Sequence, residues 1–348
     1  MSHGGDIYRN KVDIDFSVNL NPLGIRPEMK EALARSLDRS EEYPDPDQAL
    51  VREKIADSES VDFCNVFTGA GASELIPAII RGISAGSALI YAPSYTGYER
   101  ALDSAGVDIC YHNTYKETEF DLTMKDLSAI TEKTDLVFLC DPINPTGKNI
   151  KRDVLEEMIF KANSVGANVI LDESFYLLSE NCKGSYRTES IDLLKRFDNL
   201  IILRSLTKLF CIPGIRAGLV FASYEHIKMI AGQVPEWNLP VTSEAAIIAG
   251  YDLMKKGAFL QETLDAIRSG RNYLTENLRH FGFKVYDSDT CFVLFEGPDG
   301  LKEKLLGKGI LIRECSDYAG LGKGFYRAAV KNEKDNRKLI ETIGEIIV

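Results

Sequence analysis

Lys208 has neighbours that could bind an aldehyde and a phosphate together. It lies three residues after Ser205 and eight residues before Arg216, and apolar residues flank it. An ε-amine forms a Schiff base when a desolvating environment lowers its pKa. A hydroxyl and a planar guanidinium suit a phosphate ester. Ser-x-x-Lys alone is a weak motif, but the set fits pyridoxal 5′-phosphate, an aldehyde that carries a phosphate.

Asn144, Asp172 and Lys208 each follow a short apolar run that is typical of a buried strand. Ligands of an open, mostly parallel sheet bind beyond the carboxyl ends of its strands. We therefore expect the three side chains to converge in one cleft.

Asp172 and Asn144 have the chemistry that a pyridoxal ring needs. A carboxylate beside the pyridine nitrogen keeps that nitrogen protonated, which makes the ring an electron sink. An amide NH2 can donate to the phenolate oxygen of the ring. Separately, Asp172 could be an ion-paired acid and Asn144 a turn residue. Their occurrence together, at consecutive strand ends with Lys208, favours the cofactor interpretation.

A run of small residues predicts where the phosphate binds. Gly71, Ala72 and Ser73 lead directly into a helical pattern, and the exposed N–H groups at a helix N-terminus attract anions. Pro77 is expected in the first turn of this helix, where proline is tolerated. Tyr95 follows a further strand pattern and could stack on the pyridine ring, although core packing is an equally ordinary role.

The length and composition of the chain are typical of a soluble globular protein. It has 348 residues, of which 45% are hydrophobic and 27% charged, and a net charge of -11. A negative charge argues against nucleic acid or an anionic membrane as the main partner. Seven cysteines form no C-x-x-C pair, so we expect reduced thiols, no metal site and a cytoplasmic location. No signal peptide or membrane span is evident.

The apolar patterning divides the chain into two predicted domains. Residues 41–255 alternate strand runs with amphipathic helices, which predicts a large α/β domain with a mostly parallel sheet. From residue 256 the pattern changes to a smaller α+β domain that extends to residue 348.

Short motifs along nearly the whole chain form one family pattern. They are His3-Gly4-Gly5, residues 15–24, Glu42-Tyr43-Pro44-Asp45, Asn144-Pro145-Thr146-Gly147, Asp172-Glu173, residues 204–208, 212–216 and 311–315, and Tyr326-Arg327. The chain resembles the fold-type I pyridoxal-phosphate enzymes of the class I/II aminotransferase group. Within that group it is similar to the L-threonine O-3-phosphate decarboxylases of cobalamin biosynthesis, which are relatives of the histidinol-phosphate aminotransferases.

The resemblance implies an architecture and a partner. The large domain would have three layers, and residues 1–40 would pack with the small domain at 256–348. Tyr43 would reach the cofactor phosphate of the other subunit, which implies a homodimer with shared active sites.

The resemblance also implies how a substrate is held. Arg327 would clamp the substrate carboxylate through a bidentate contact, with Arg313 beside it or turned toward the substrate phosphate. His3, Asn19 and Asn21 would lie near the substrate, where the N-terminal segment folds over the site.

Two departures from the family pattern concern the substrate. Phe175 stands where many relatives have a tyrosine that donates to the cofactor, although the decarboxylase branch tends to have phenylalanine there. Residues 234–240 match the corresponding segment of the decarboxylases only loosely. Three hypotheses therefore stay open: a decarboxylase of threonine phosphate, an aminotransferase of the histidinol-phosphate type, and a non-catalytic protein that binds pyridoxal phosphate.

Overall fold

A computed structural model describes residues 4–347 of the chain. The strands are β1 (Ile14–Asp15), β2 (Val66–Gly69), β3 (Ser87–Ala92), β4 (Asp108–Asn113), β5 (Leu136–Cys140), β6 (Asn168–Asp172), β7 (Leu200–Ser205), β8 (Gly218–Phe221), β9 (Lys284–Val285), β10 (Phe292–Glu296), β11 (Ile310–Leu311), β12 (Arg313–Glu314) and β13 (Phe325–Ala329). The α-helices are α1 (Pro27–Ser36), α2 (Ala49–Glu59), α3 (Ala72–Ile83), α4 (Thr96–Ala105), α5 (Arg152–Ser164), α6 (Leu206–Leu209), α7 (Tyr224–Ala231), α8 (Val241–Lys255), α9 (Ala258–His280), α10 (Leu301–Leu306) and α11 (Glu333–Ile347).

A seven-stranded sheet organises the large part of the chain, in the order β2-β8-β7-β6-β5-β3-β4. Strands β3 to β7 pair in parallel, whereas β8 runs antiparallel to both of its neighbours. All residues of β5 and β7 are buried, as expected for a sheet with both faces covered. The expectation of an α/β fold with a mostly parallel sheet is confirmed.

The register of three adjacent strands brings their ends together. Cys140 at the end of β5 pairs with Asp172 at the end of β6, and Asp172 pairs in turn with Leu203 of β7. Asp172 therefore lies at the middle of the three strand ends, between the loop that contains Asn144 and the helix that contains Lys208.

A second, four-stranded sheet, β12-β13-β10-β9, is antiparallel and lies in the C-terminal part. The apolar run at residues 310–313 is divided between two sheets, because β11 pairs with β1 whereas β12 pairs with β13. The β1 pairing attaches residues 14–15 to the C-terminal part, while α1 packs against α8.

Pro77 departs from its expected position. It lies in the interior of α3, at the sixth helical residue, and not in the first turn. Proline has no N–H, so it removes the helical hydrogen bond that would reach the Ser73 carbonyl.

Within residues 4–347, no helix is both long and apolar enough to cross a membrane.

Candidate active site

Lys208 lies in a one-turn helix at the end of a buried strand. Strand β7 ends at Ser205 and α6 follows at once, with its apolar residues buried and Lys208 half-buried. Burial lowers the pKa of the Lys208 amine, the charges of Arg216 and Arg327 lower it further, and the charge of Asp172 opposes them. The amine is thus more nucleophilic near neutral pH than an exposed lysine.

Asp172 is buried and held by two donors. The Ser174 N–H donates to Oδ1 at 2.9 Å, and the Tyr98 hydroxyl donates to Oδ2 at 2.6 Å. Burial raises the pKa of the Asp172 carboxyl, while these hydrogen bonds and the Lys208 charge oppose the rise.

Asn144 is oriented by Arg327. Nη1 of Arg327 donates to Oδ1 of Asn144, so the amide NH2 is the arm of Asn144 that can donate to a ligand oxygen. Nη2 of Arg327 donates to the Ser17 carbonyl at 2.9 Å. Nε of Arg327 is buried and has no hydrogen-bond partner among residues 4–347, as expected of a donor that awaits an anion.

The predicted phosphate site is a narrow cradle at the start of α3. Gly71 has φ +81°, and a Cβ there would lie 2.6 Å from Nη2 of Arg216. Arg216 donates from Nη2 to Ser73 Oγ at 3.2 Å and from Nη1 to the Pro213 carbonyl at 2.8 Å. Ala72 is the first helical residue. Glycine, hydroxyl, guanidinium and helix N-terminus therefore meet at one place.

Ser205 and Tyr95 border the same cleft. The buried Ser205 hydroxyl is paired with Thr207 Oγ1 at 2.8 Å. Tyr95 precedes α4, and its ring lies so close over Gly97 that a Cβ there would be 2.3 Å from it. The charges of Asp172, Arg216 and Arg327 all act on the Tyr95 hydroxyl, which places Tyr95 among the site residues.

Arg313 and Arg327 are cross-strand neighbours on β12 and β13. Nη2 of Arg313 donates to both carboxylate oxygens of Asp317, at 2.7 and 2.8 Å. The guanidinium of Arg313 lies 5.2 Å from the Tyr318 ring centroid, and Nη1 of Arg327 donates to the Tyr318 hydroxyl at 3.4 Å. The two buried guanidinium groups therefore both contact Tyr318.

Asn19 and Asn21, two residues predicted to lie near the substrate, differ in how their side-chain amides are hydrogen-bonded. Asn19 is buried and its Oδ1 has no partner within residues 4–347. In contrast, both amide atoms of Asn21 are used internally: Nδ2 donates to the Leu209 carbonyl and to Thr263, and Oδ1 accepts from the Leu23 N–H. Asn21 thus supports the segment that contains Lys208, and both hydrogens of its amide NH2 are already donated.

Two other predicted residues lie apart from this cluster. Tyr43 is 79% exposed and packs against Trp237 with ring centroids 4.7 Å apart, so it does not reach the cleft of its own chain. His3 lies outside the described residues.

Sequence reasoning missed two residues of the site, Tyr98 and Tyr318. Tyr98 lies three residues after Tyr95, the residue that precedes α4, and the two rings are in edge-on contact at 5.4 Å. That spacing was the available signal. Tyr318 lies in a loop whose course the sequence pattern does not define.

The sequence model of the family described as aminotransferase class I and II matches residues 11–343. The chain belongs to this family. Its members use pyridoxal phosphate, and the chain is accordingly a pyridoxal-phosphate-dependent enzyme. The hypothesis of a non-catalytic protein is set aside.

Three individual proteins are similar to this chain over most of its length. The chain is 31% identical to the threonine-phosphate decarboxylase of Salmonella typhimurium, over 96% of this chain and 91% of that protein. It is 30% identical to a bifunctional protein of adenosylcobalamin biosynthesis from Leptospira interrogans, over 99% of this chain and 41% of that protein. The crystal structure of the histidinol-phosphate aminotransferase from Clostridium acetobutylicum superposes with a TM-score of 0.87 at 27% identity, covering 96% of this chain and 99% of that one.

The residues present fit the cofactor of the family. The cradle at Gly71 leaves room only for a backbone without a side chain, and Arg216 provides a cation there. At the other end of the cleft, Asp172 offers a buried carboxylate and Asn144 an amide donor. Lys208 is the amine whose pKa is lowered between them.

Proposed function

We propose that the chain is a pyridoxal-phosphate-dependent decarboxylase of L-threonine O-3-phosphate, which yields (R)-1-aminopropan-2-ol O-phosphate and CO2. The observation that carries this proposal is the buried pair of cross-strand neighbours Arg313 and Arg327, of which Arg327 is close enough for its charge to act on Lys208. A substrate with both a carboxylate and a phosphate ester needs two such cations. The relatives that act in threonine-phosphate decarboxylation and adenosylcobalamin biosynthesis support the same substrate class.

In this proposal each of the two arginines binds a different anionic group of the substrate. Arg327 presents an unpartnered Nε on a side chain that Ser17 and Asn144 already hold in place, and this fits a carboxylate. Arg313 is held by Asp317 and faces the substrate phosphate in our proposal. The carboxylate and the phosphate would then be fixed at separate points, which sets the orientation of the bonds at Cα.

An apolar wall next to Arg327 favours loss of CO2. The Phe292 ring lies 5.3 Å from the Arg327 guanidinium, and Phe175 packs edge-on against Phe292 at 5.2 Å. A carboxylate beside these rings is poorly solvated, and its charge leaves that environment as CO2 departs. A clamp that bound the carboxylate equally well before and during the reaction would not accelerate it.

The remaining residues have roles toward the cofactor. Bound pyridoxal phosphate supplies an aldehyde that joins an amine and a ring that withdraws electrons from Cα. Lys208 would hold it covalently, Asp172 would pair with the ring nitrogen, and Asn144 would donate to the phenolate. Tyr95 would pack on the ring, and the phosphate would be bound by the Gly71 cradle, Ala72, Ser73, Ser205 and Arg216.

We further infer a homodimer in which Tyr43 serves the partner's site. Tyr43 and Trp237 form an exposed aromatic pair. A tyrosine hydroxyl on such a surface can donate to the cofactor phosphate of the neighbouring subunit.

Two assays on the cofactor-loaded protein test the proposed reaction. Incubation with O-phospho-L-threonine is expected to release CO2 and leave aminopropanol phosphate, and Lys208→Ala should release neither. Incubation with histidinol phosphate and 2-oxoglutarate is expected to give no glutamate. Formation of glutamate without release of CO2 would contradict the decarboxylase proposal and would indicate an aminotransferase of the histidinol-phosphate type.

A further inference from the structure

Tyr98 is a buried residue of this cleft to which the proposed reaction assigns no role. It is fully buried on α4, and its ring stacks on Phe138 with centroids 4.7 Å apart. Tyr95 meets the same ring edge-on at 5.4 Å. These two contacts hold the phenol in one orientation. Its hydroxyl is directed at Asp172 Oδ2, 2.6 Å away, and not at solvent.

We propose that Tyr98 is a positioning residue that keeps Asp172 ionised toward the cofactor. The inference rests on the proposed contact between Asp172 and the ring nitrogen, and it holds for decarboxylation and transamination alike. Two features support it: the phenol donates to Oδ2 while the Ser174 N–H donates to Oδ1, so both carboxylate oxygens are bound, and the side chains of Tyr98 and Asp172 are both buried.

The physical reason lies in the cost of a buried carboxylate. Burial alone raises the pKa of Asp172, whereas a donated hydrogen bond stabilises the ionised form and opposes that rise. A protonated Asp172 could not keep the pyridine nitrogen protonated. The Tyr98 hydroxyl itself stays protonated, because burial and the negative charge of Asp172 raise its pKa.

Other titratable groups also face Asp172, and they come from three elements. They are Tyr95 beside α4, Cys140 of β5 and Lys208 of α6. Burial raises the pKa of the Cys140 thiol, so it stays neutral. Side-chain hydrogen bonds from Ser174 and Tyr98 both lower the pKa of Asp172, and the Tyr98 hydroxyl is the donor to Oδ2. Attachment of the cofactor would convert the Lys208 amine into an imine, whereas the Tyr98 hydroxyl would keep its hydrogen bond to Asp172.

The test compares Tyr98→Phe with a matched variant, Tyr251→Phe. Tyr251 is equally buried and also donates to a buried carboxylate, Glu59 Oε1 at 2.8 Å, but lies outside the cleft. Each variant is loaded with pyridoxal phosphate that carries 15N in the ring, and the 15N chemical shift is followed against pH. No substrate is needed.

We expect the wild type and Tyr251→Phe to hold a protonated ring nitrogen over the same pH range. In Tyr98→Phe the pH at which half of the ring nitrogen is protonated should fall by about 1. The dissociation constant of the cofactor, measured on the apoprotein, should rise several-fold in Tyr98→Phe only. A purely structural role would change the melting temperature of both variants and leave the 15N shift unchanged.

A second variant covers a failure of Tyr98→Phe to fold. Substitution of Tyr98 by 3,5-difluorotyrosine keeps the shape and strengthens the donor, so the ring nitrogen should stay protonated to higher pH. If the wild type already holds an unprotonated ring nitrogen, the proposed role of Asp172 fails. If the wild-type nitrogen is protonated and neither Tyr98 variant moves its titration, the role of Tyr98 is overturned while that of Asp172 stands.

Discussion

Arg327 contacts Asn144, which is proposed to donate to the cofactor, and also has a donor that is proposed to bind the substrate. Its Nη1 orients Asn144, its Nη2 is fixed by Ser17, and its Nε is left for an anion. Binding of a carboxylate at Nε therefore acts on a side chain that also touches the cofactor-facing amide. A change at Arg327 should alter both substrate binding and the environment of the cofactor phenolate.

Arg327→Lys tests this double contact. Lysine keeps the charge but lacks the planar fork, so it cannot hold Asn144, Ser17 and an anion at once. We expect kcat/KM for O-phosphothreonine to fall about 10- to 100-fold, together with a shift in the cofactor absorbance maximum. Arg337→Lys, at an exposed ion pair with Glu333, is the control. Unchanged kcat/KM and absorbance in Arg327→Lys would contradict the assigned role.

Single residues were predictable to different extents. Lys208, Asp172 and Asn144 follow apolar strand runs, and the parallel sheet makes such positions converge. Arg216 and Ser73 were predictable because a glycine-rich turn and a hydroxyl-arginine pair have a local signature. Tyr98 was not, because its function depends on the side of α4 that faces β6, which only the packing of helix on sheet determines.

A buried ion cluster anchors the strand ends on the face opposite the proposed cofactor residue Asp172. Successive residues of a strand point to opposite faces, so Glu173 and Arg204 point away from their neighbours Asp172 and Ser205. Arg204 donates to Glu59 at 2.7 Å and to Glu173 at 2.8 Å. The cluster thus joins the ends of β6 and β7 to α2.

Arg204→Met tests the importance of this cluster at the level of elements. It would leave Glu59 and Glu173 buried without their cation, which should lower the free energy of unfolding by about 3–5 kcal/mol. Arg196→Met removes an exposed ion pair with Glu156 and should cost less than about 1 kcal/mol. Denaturant unfolding of both variants measures the difference. A loss for Arg204→Met no larger than that for Arg196→Met would show that the cluster does not anchor the strands.

Sequence patterns defined most elements but not their pairing. The predicted runs correspond to β3, β5, β6 and β7, because each is short, apolar and bounded by turn residues. The antiparallel placement of β8 between β2 and β7 has no local signal. The division of residues 310–313 between two sheets likewise depends on long-range partners, β1 and β13.

The whole molecule is proposed to work as a dimer with exchanged tyrosines. The described chain by itself places Lys208, Asp172 and the phosphate cradle in one cleft, but it leaves Tyr43 exposed. A shared site explains an exposed aromatic pair that its own cleft does not use. The oligomer was implied by family resemblance, since no pattern within one chain encodes the position of a second copy.

Mixed dimers of two inactive chains test this arrangement. If Tyr43 acts across the interface, a dimer of Lys208→Ala with Tyr43→Ala contains one wholly wild-type site. Co-refolding the two variants in equal amounts should restore roughly a quarter of wild-type activity, because about half of the dimers are mixed. Activity no higher than the average of the separate variants would mean that Tyr43 does not act across the interface.

The central claim is that Lys208 holds the cofactor covalently at the strand ends. Borohydride reduction of the cofactor-loaded protein, followed by digestion and peptide mass spectrometry, tests it most directly. We expect the pyridoxyl phosphate adduct on the peptide that contains Lys208, and no adduct at that position in Lys208→Ala. An adduct on a different lysine of the wild type, or none at all, would contradict the account.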